Sequence, residues 1–251
     1  MLKIRIIPTL LFNNLKLVKG INFKSWRTAG SIMQAVRIYN IREVDELILL
    51  DIAATNTKKK VDLELVNEIA NECFMPLTFG GGINSINDIS NLLKAGADKV
   101  CLNTIAAENL NFIEKACKTF GGQSIVASVD YKIENDKIII YSKSGTFKTD
   151  LTFAKYLLNL QNAGVGEIII TSIDKDGTME GYDINTLKIA TNLLKIPIIA
   201  SGGAGSFENI FDTLKIAKVS ALAAASIYHF TKKTPLDVKK FLKSNNVPIR
   251  I

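Results

Sequence analysis

The chain has 251 residues, 47% of them hydrophobic, enough to bury a large core as one α/β barrel or two small domains. Its net charge is +7 and its pI about 9.2, yet the lysines are scattered. Lys58, Lys59 and Lys60 form the one run of three, and aromatic residues are not interleaved with basic ones. That pattern argues against nucleic-acid binding and suits a phosphorylated substrate or an acidic partner.

In chain order, MLKIRIIPTLLF carries Lys3 and Arg5 inside its apolar run and reads as a first strand rather than a signal peptide. Strand-like runs then recur at ELILLDI, MPLTF, KVCLN, SIVASVD, EIIIT, IPIIAS and SALAAAS. Helical patterns lie between them, ending near glycine or asparagine: SIMQAVRIYNIR, VDLELVNEIANEC, NDISNLLKAG, NLNFIEKACKTFG, DLTFAKYLLNLQNAG, INTLKIATNLL, SFENIFDTLKIA and PLDVKKFLKSN. This alternation predicts parallel β/α units, and eight of them close into a single (β/α)8 TIM barrel over residues 1–251; a doubly wound open sheet is the alternative. Residues 131–148 alternate and read as a small hairpin inserted after the fifth strand. Residues 12–30, with Asn13, Asn14, Lys19, Gly20 and Gly30, read as an irregular, mobile active-site loop. No apolar run is long enough to span a bilayer. Cys73, Cys101 and Cys117 lack metal-ligand spacing, and a single histidine, His229, excludes a histidine-based metal cluster. A reduced, cytosolic chain without metal or cofactor is expected.

The chain repeats itself. MPLTFGGGINS (75–85) and IPIIASGGAGS (196–206) are both apolar strands running into paired glycines, and Gly81 and Gly202 stand 121 residues apart. The same offset pairs Pro76 with Pro197, Glu46 with Glu167 and Thr57 with Thr178, which predicts two repeated half-barrels. Glycines between a strand and a helix bring backbone N–H groups to an anion, so two such turns suggest a substrate with two phosphates; tight turns alone are the simpler alternative.

Chemistry in such a barrel sits at the C-terminal strand ends. Those ends read Leu11, Asp51, Gly80 to Gly82, Asn103 with Thr104, Asp130, Thr171, Ser201 to Gly203, and Ser226. Asp130 is the acid/base candidate, because a carboxylate closing an apolar strand is desolvated and its pKa rises. Asp176, Gly177 and Thr178 in DKDGT offer further phosphate donors, or an ordinary Asp-Gly turn. At the opposite ends stand Arg5, Glu46, Lys99 and Glu167. Residues four apart on a strand share a face, so if Asn103 and Thr171 point inward, so do Lys99 and Glu167. A balanced ring of four charges on the barrel floor would need mutual pairing; exposed strand-start charges are the alternative.

The motifs RIIP, VKG followed by NF, DELILLDI, PLTFGGGI, ADKV with Asn103, FGGQ, EIIITSIDKDGTMEGYD and IPIIASGGAG together resemble, over the whole chain, the cyclase subunit of imidazole glycerol phosphate synthase, HisF. The resemblance implies a barrel that takes ammonia from a glutaminase subunit docked on its N-terminal face. Ammonia then reacts at the other end with a bis-phosphorylated ribulosyl aminoimidazole compound. It also implies a gate at Arg5, Glu46, Lys99 and Glu167, and partner-facing positions at Asp98 and Gln123. Phosphate contacts fall at Gly82, Asn103, Thr104, Asp176, Gly177, Gly203 and Ser226, and Lys19 belongs to a substrate loop.

One departure stands out. The family uses two aspartates, ending the first and fifth strands; the second is Asp130, but Leu11 holds the first position, and losing a positioned acid or base costs roughly 10²- to 10⁴-fold in rate. Asp51 is aimed elsewhere by strand geometry. The approach to the eighth strand also carries one extra residue. PTLL and CFMPL resemble a divergent branch from surface-glycan clusters, whose members work beside a glutaminase and a sugar amidotransferase. The favoured expectation is an ammonia-using subunit of that branch. Alternatives are a true cyclase of histidine biosynthesis and a non-catalytic subunit that activates the glutaminase.

Overall fold

The computed structural model describes residues 3–13, 16–42 and 44–250; Asn14 of the expected loop lies outside them. In chain order the strands are β1 (Arg5–Asn13), β2 (Lys16–Ile21), β3 (Lys24–Ser31), β4 (Leu47–Asp51), β5 (Leu77–Gly80), β6 (Lys99–Leu102), β7 (Ile125–Glu134), β8 (Lys137–Ser142), β9 (Phe147–Thr152), β10 (Glu167–Ser172), β11 (Ile198–Ser201) and β12 (Ala221–Ala224). Parallel pairing runs β1–β4–β5–β6–β7–β10–β11–β12 and returns to β1. The eight predicted strands therefore close into a barrel, and the open sheet, which would leave two edges unpaired, is excluded.

The helices are α1 (Ile32–Ile41), α2 (Ala54–Thr57), α3 (Leu63–Glu72), α4 (Ile86–Lys94), α5 (Thr104–Glu108), α6 (Leu110–Phe120), α7 (Phe153–Asn162), α8 (Ile184–Leu193), α9 (Phe207–Ala217), α10 (Ser226–His229) and α11 (Pro235–Ser244). Local chemistry sets their starts. The Ser85 hydroxyl accepts from Asp88 N while the Asp88 carboxylate accepts from Ser85 N, a capping box that opens α4. Thr234 and Asp237 do the same for α11, with Pro235 in the first turn. The short helices α2, α5 and α10 were not foreseen, since four or five residues carry no readable 3.6-residue period.

Strand alternation divides the core in two. Leu47 and Leu49 of β4 face the helices, whereas Ile48 faces inward with Ile7, Cys101, Val126, Ile169 and Ile199. Each such fully buried aliphatic contributes about 1.5–3 kcal/mol. The half-barrel repeat is visible in the elements: β2 and β8, α1 and α7, and α3 and α8 have the same lengths, and their starts lie 121 residues apart.

Two inserted hairpins cover the C-terminal mouth. The predicted one after the fifth strand is the β7 extension with β8 and β9. The expected irregular loop over 12–30 is instead an ordered antiparallel hairpin, in which β2 pairs with β1 and β3 pairs with β2. It was illegible because almost every residue of β3 is exposed, so KSWRTAGS has no apolar face to alternate. Its turn places Asn22 and Phe23 at φ 52° and 60°, the left-handed pair that matches the twist of a two-stranded ribbon.

Candidate active site at the barrel mouth

A cleft at the C-terminal strand ends has an empty volume of about 1240 Å3, including the part open to solvent. It collects Leu11, Lys19, Gly82, Asn103, Thr104, Asp130, Asp176, Gly177, Gly203 and Ser226. Thr178, the other phosphate donor expected in DKDGT, does not line it, and its hydroxyl donates to Lys175 O at 2.9 Å within the turn.

Asp130 ends the inward face of β7 and is 7% exposed. Asn103 Nδ2 donates to its Oδ2 at 3.0 Å and the Ser128 hydroxyl to its Oδ1 at 3.3 Å. Burial pushes its carboxyl up to about 7, with Asp176 adding repulsion, while Ser128, Thr171 and Asn103 pull the other way. A group balanced near neutrality can both take and return a proton. Ser128 was missed, although its place two residues before Asp130 puts it on the same strand face.

The two glycine turns are matched by two of the short helices, α5 and α10. Gly81 and Gly82 follow β5 and line the cleft with Asn103 and Thr104 at the start of α5; Gly202 and Gly203 follow β11 and line it with Ser226 at the start of α10. Helices α4 and α9, which follow the glycines in sequence, are capped by Ser85 and Ser206. Helices α5 and α10 have no side-chain cap. Asn103 Nδ2 donates to Ser128 O and Asp130, and the starts of α5 and α10, at Asn103–Thr104 and Ala225–Ser226, line the cleft. The Ser226 hydroxyl is buried without a hydrogen-bond partner among the described residues, whereas the Thr104 hydroxyl accepts from Lys143 N at 3.2 Å and ties down the second hairpin. Gly203, at φ +108°, lies so close to Gly181 that a Cβ would stand 2.1 Å from its carbonyl oxygen.

The Asp176 side chain does not point a donor at the cleft. Its Oδ2 accepts from Lys19 Nζ at 2.5 Å, and Lys19 is 2% exposed. Burial raises the Asp176 carboxyl and Lys19 opposes that rise. This pair joins the β2–β3 hairpin to the turn after β10. Asn22 N adds a bond to Asp176 O at 2.8 Å, and Asn22 Nδ2 donates to Ile173 O and Asp174 O. Gly177 permits the approach, since a Cβ there would meet Gly20 O at 2.2 Å. Asp51 is occupied as well: its Oδ1 accepts from Ala53 N and Ala54 N at 3.0 Å each.

At the other end of the barrel, Arg5 Nη1 lies 2.6 Å from Glu46 Oε1 and 2.9 Å from Glu167 Oε1, while Lys99 Nζ lies 3.1 Å from Glu46 Oε2 and 3.2 Å from Glu167 Oε1. The four charges alternate around a ring, with side chains 10–21% exposed, and are not the free strand-start charges of the alternative reading. Burial alone would lower the Arg5 guanidinium; Glu167 and Glu46 outweigh it and hold it above its ordinary value. Asp98 and Gln123 are exposed on this same face, immediately before β6 and β7, and Asp98 Oδ2 accepts from Leu77 N at 2.8 Å.

A closed barrel of two like halves, with a carboxylate at its mouth between two glycine turns and a ring of charge on its floor, places the chain in the (β/α)8 class of enzyme scaffolds. The family described as histidine biosynthesis protein matches residues 5–234. The chain is 44% identical, over the full length of both, to a Campylobacter jejuni protein provisionally named imidazole glycerol phosphate synthase subunit hisF2. It is 41% identical to the imidazole glycerol phosphate synthase subunit HisF of Chlorobium phaeovibrioides and 42% identical to that of Dictyoglomus thermophilum, again over both full lengths. The chain belongs to the HisF family of histidine-biosynthesis barrels.

Proposed function

We propose that the chain is an ammonia-using synthase subunit that receives ammonia from a glutaminase through the barrel and serves the amidation of a surface-glycan sugar. The observation that supports this reading is Leu11 at the mouth position that pairs with the Asp130 position in the repeat, while both glycine turns line the same cleft and the four floor charges pair in a ring. When ammonia replaces a carbonyl oxygen, the C–N bond forms, the oxygen leaves as water, and the two protons that nitrogen loses are the two that the oxygen gains, so one group that takes each proton and returns it serves both steps. Asp130 is poised for both, whereas ring closure asks for acid and base on opposite sides.

The charged ring would be the gate, and the apolar layer of Ile7, Ile48 and Val126 above it the conduit. The docking face would be the N-terminal one. Ile41 and Phe74, 83% and 87% exposed, stand on that face at the C-terminal ends of α1 and α3. Asn40 binds Phe74 N through Oδ1 and Glu72 O through Nδ2, fixing the apolar pair in place beside the face that carries Asp98 and Gln123. Among the described residues no helix is long and apolar enough to cross a membrane, and we place the complex, with its sugar amidotransferase, in the cytoplasm.

The test is a steady-state assay of the chain and of Leu11→Asp with the bis-phosphorylated ribulosyl substrate and excess ammonium. Silence from the parent with activity gained by the variant supports the proposal. Turnover by the parent assigns it to imidazole formation in histidine biosynthesis, which the intact cradles also permit. A full complex that forms its product equally well with Asp130→Asn would make the barrel a non-catalytic conduit.

A further inference from the structure

We infer that Trp26 is a specificity-determining residue, its indole the platform on which a flat ring of the phosphorylated ligand stacks. This rests on reading the two glycine turns as phosphate cradles. Trp26 is the one tryptophan of the chain and lies on β3 of the first hairpin, lining the cleft. One edge of the indole is packed against the hairpin backbone: a Cβ on Gly20 would stand 2.9 Å from Trp26 Cε3 and 3.1 Å from Cδ2. The residue is nonetheless 39% exposed and lines the cleft.

Its neighbours in the cleft divide by chemistry. Leu11 of β1, Leu50 of β4, Ile52 just after it and Phe23 of the hairpin lie on one side, where Lys19 and Asp51 are already engaged by Asp176 and by Ala53 N and Ala54 N. Asn103 just after β6, Ser128 and Asp130 of β7 and Thr171 of β10 lie on the other. A ligand held by anions at the two cradles would thus meet hydrogen-bonding groups on one side and an apolar, aromatic wall on the other. A ring with a flat apolar face fits that wall, and stacking is the interaction an indole offers. The platform is also pre-positioned. Lys19 is paired with Asp176, and Arg27, the next residue after Trp26, lies over the Phe230 ring at 3.6 Å from its centroid.

The experiment uses the full chain and four probes: inorganic phosphate, ribose 5-phosphate, glucose 6-phosphate and 5-aminoimidazole-4-carboxamide ribonucleotide. Binding is read by Trp26 fluorescence and by calorimetry. A ring-bearing probe should perturb the fluorescence saturably. Trp26→Ala should weaken that probe about tenfold, leave inorganic phosphate within about twofold, and Trp26→Phe should restore most of the loss. Loss confined to the ribonucleotide identifies an aromatic heterocycle, and loss confined to glucose 6-phosphate a pyranose. Equal weakening of every probe, or of none, overturns the inference while leaving the cradles standing. Failure of all four to bind the parent chain overturns the cradle reading and the platform with it.

Discussion

Leu11 and Asp130 occupy equivalent positions on opposite strands of the barrel. Leu11 pairs with Leu50 and Asp130 with Thr171, and Leu50 and Thr171 are themselves 121 residues apart, the period of the repeat. One half of the molecule therefore presents an aliphatic pair at the point where the other presents a carboxylate and a hydroxyl. Leu11→Asp puts a second carboxyl into a site only 8% exposed, with Leu50 beside it. We expect a loss on the order of 2–4 kcal/mol at pH 8 in urea unfolding, shrinking at pH 5 where the new group is protonated. Equal stability at both pH values would mean that the position is wetter than its burial indicates.

Asp130 makes the opposite kind of prediction. Its folded pKa of about 7 lies above that of an unfolded aspartate, so the folded state binds more protons between the two values. Stability must then fall as pH rises through that window, and Asp130→Asn should remove the fall. The variant is expected to gain up to a few kcal/mol over the parent at pH 8 and nearly nothing at pH 4, while activity drops roughly 10²- to 10⁴-fold. The rate of the parent should rise with an apparent pKa near 7. Parallel melting curves for parent and variant from pH 4 to 8 would rule out the burial argument.

The barrel itself was legible because buried parallel strands write themselves as short runs such as LILL and EIII, and because a duplicated half repeats its errors and its motifs together. Asp130, the glycines and the floor charges were legible from strand ends and the two-residue alternation. What escaped had physical causes. The β2–β3 hairpin has no buried face of its own until it lands on the turn at Asp176, so its sequence looks irregular. Trp26 and Phe23 reach the cleft only through that landing. The role of Asn103 was readable as a mouth position, but its bond to Asp130 depends on a contact with β7 that lies 27 residues away.

The floor ring gives a charge-balance prediction. Glu46→Gln leaves Arg5 and Lys99 sharing Glu167 alone, one uncompensated cation in a partly buried ring. The expected loss is about 1–3 kcal/mol, less than for a fully buried pair because water still reaches the ring. Adding Lys99→Met restores neutrality and should recover part of the loss, so the double-mutant cycle reports a coupling of about 0.5–3 kcal/mol. Strict additivity would show that the four residues are independent surface charges despite their geometry.

Lys19 holds the first hairpin shut, and its removal should open the hairpin before it unfolds the barrel. In the closed arrangement Lys19→Ala would leave Asp176 a buried carboxylate with no cation, a cost of about 3–5 kcal/mol if nothing moved. The outer part of the hairpin has a cheaper way out, because β3 is solvent-exposed and, beyond the β1–β2 pairing with its buried Leu17, its ties include the bonds of Asn22 and the Arg27–Phe230 contact. Amide exchange should therefore accelerate within 16–31 and trypsin should gain access at Lys24 and Arg27, with the barrel strands still protected. Acid should reverse the effect, because burial already holds the Asp176 carboxyl above its ordinary value and a protonated group can stay buried without Lys19. Adding Asp176→Asn to Lys19→Ala should close the hairpin again at neutral pH. Accelerated exchange spread evenly over the barrel, or none at all in the hairpin, would show that the ion pair does not govern closure.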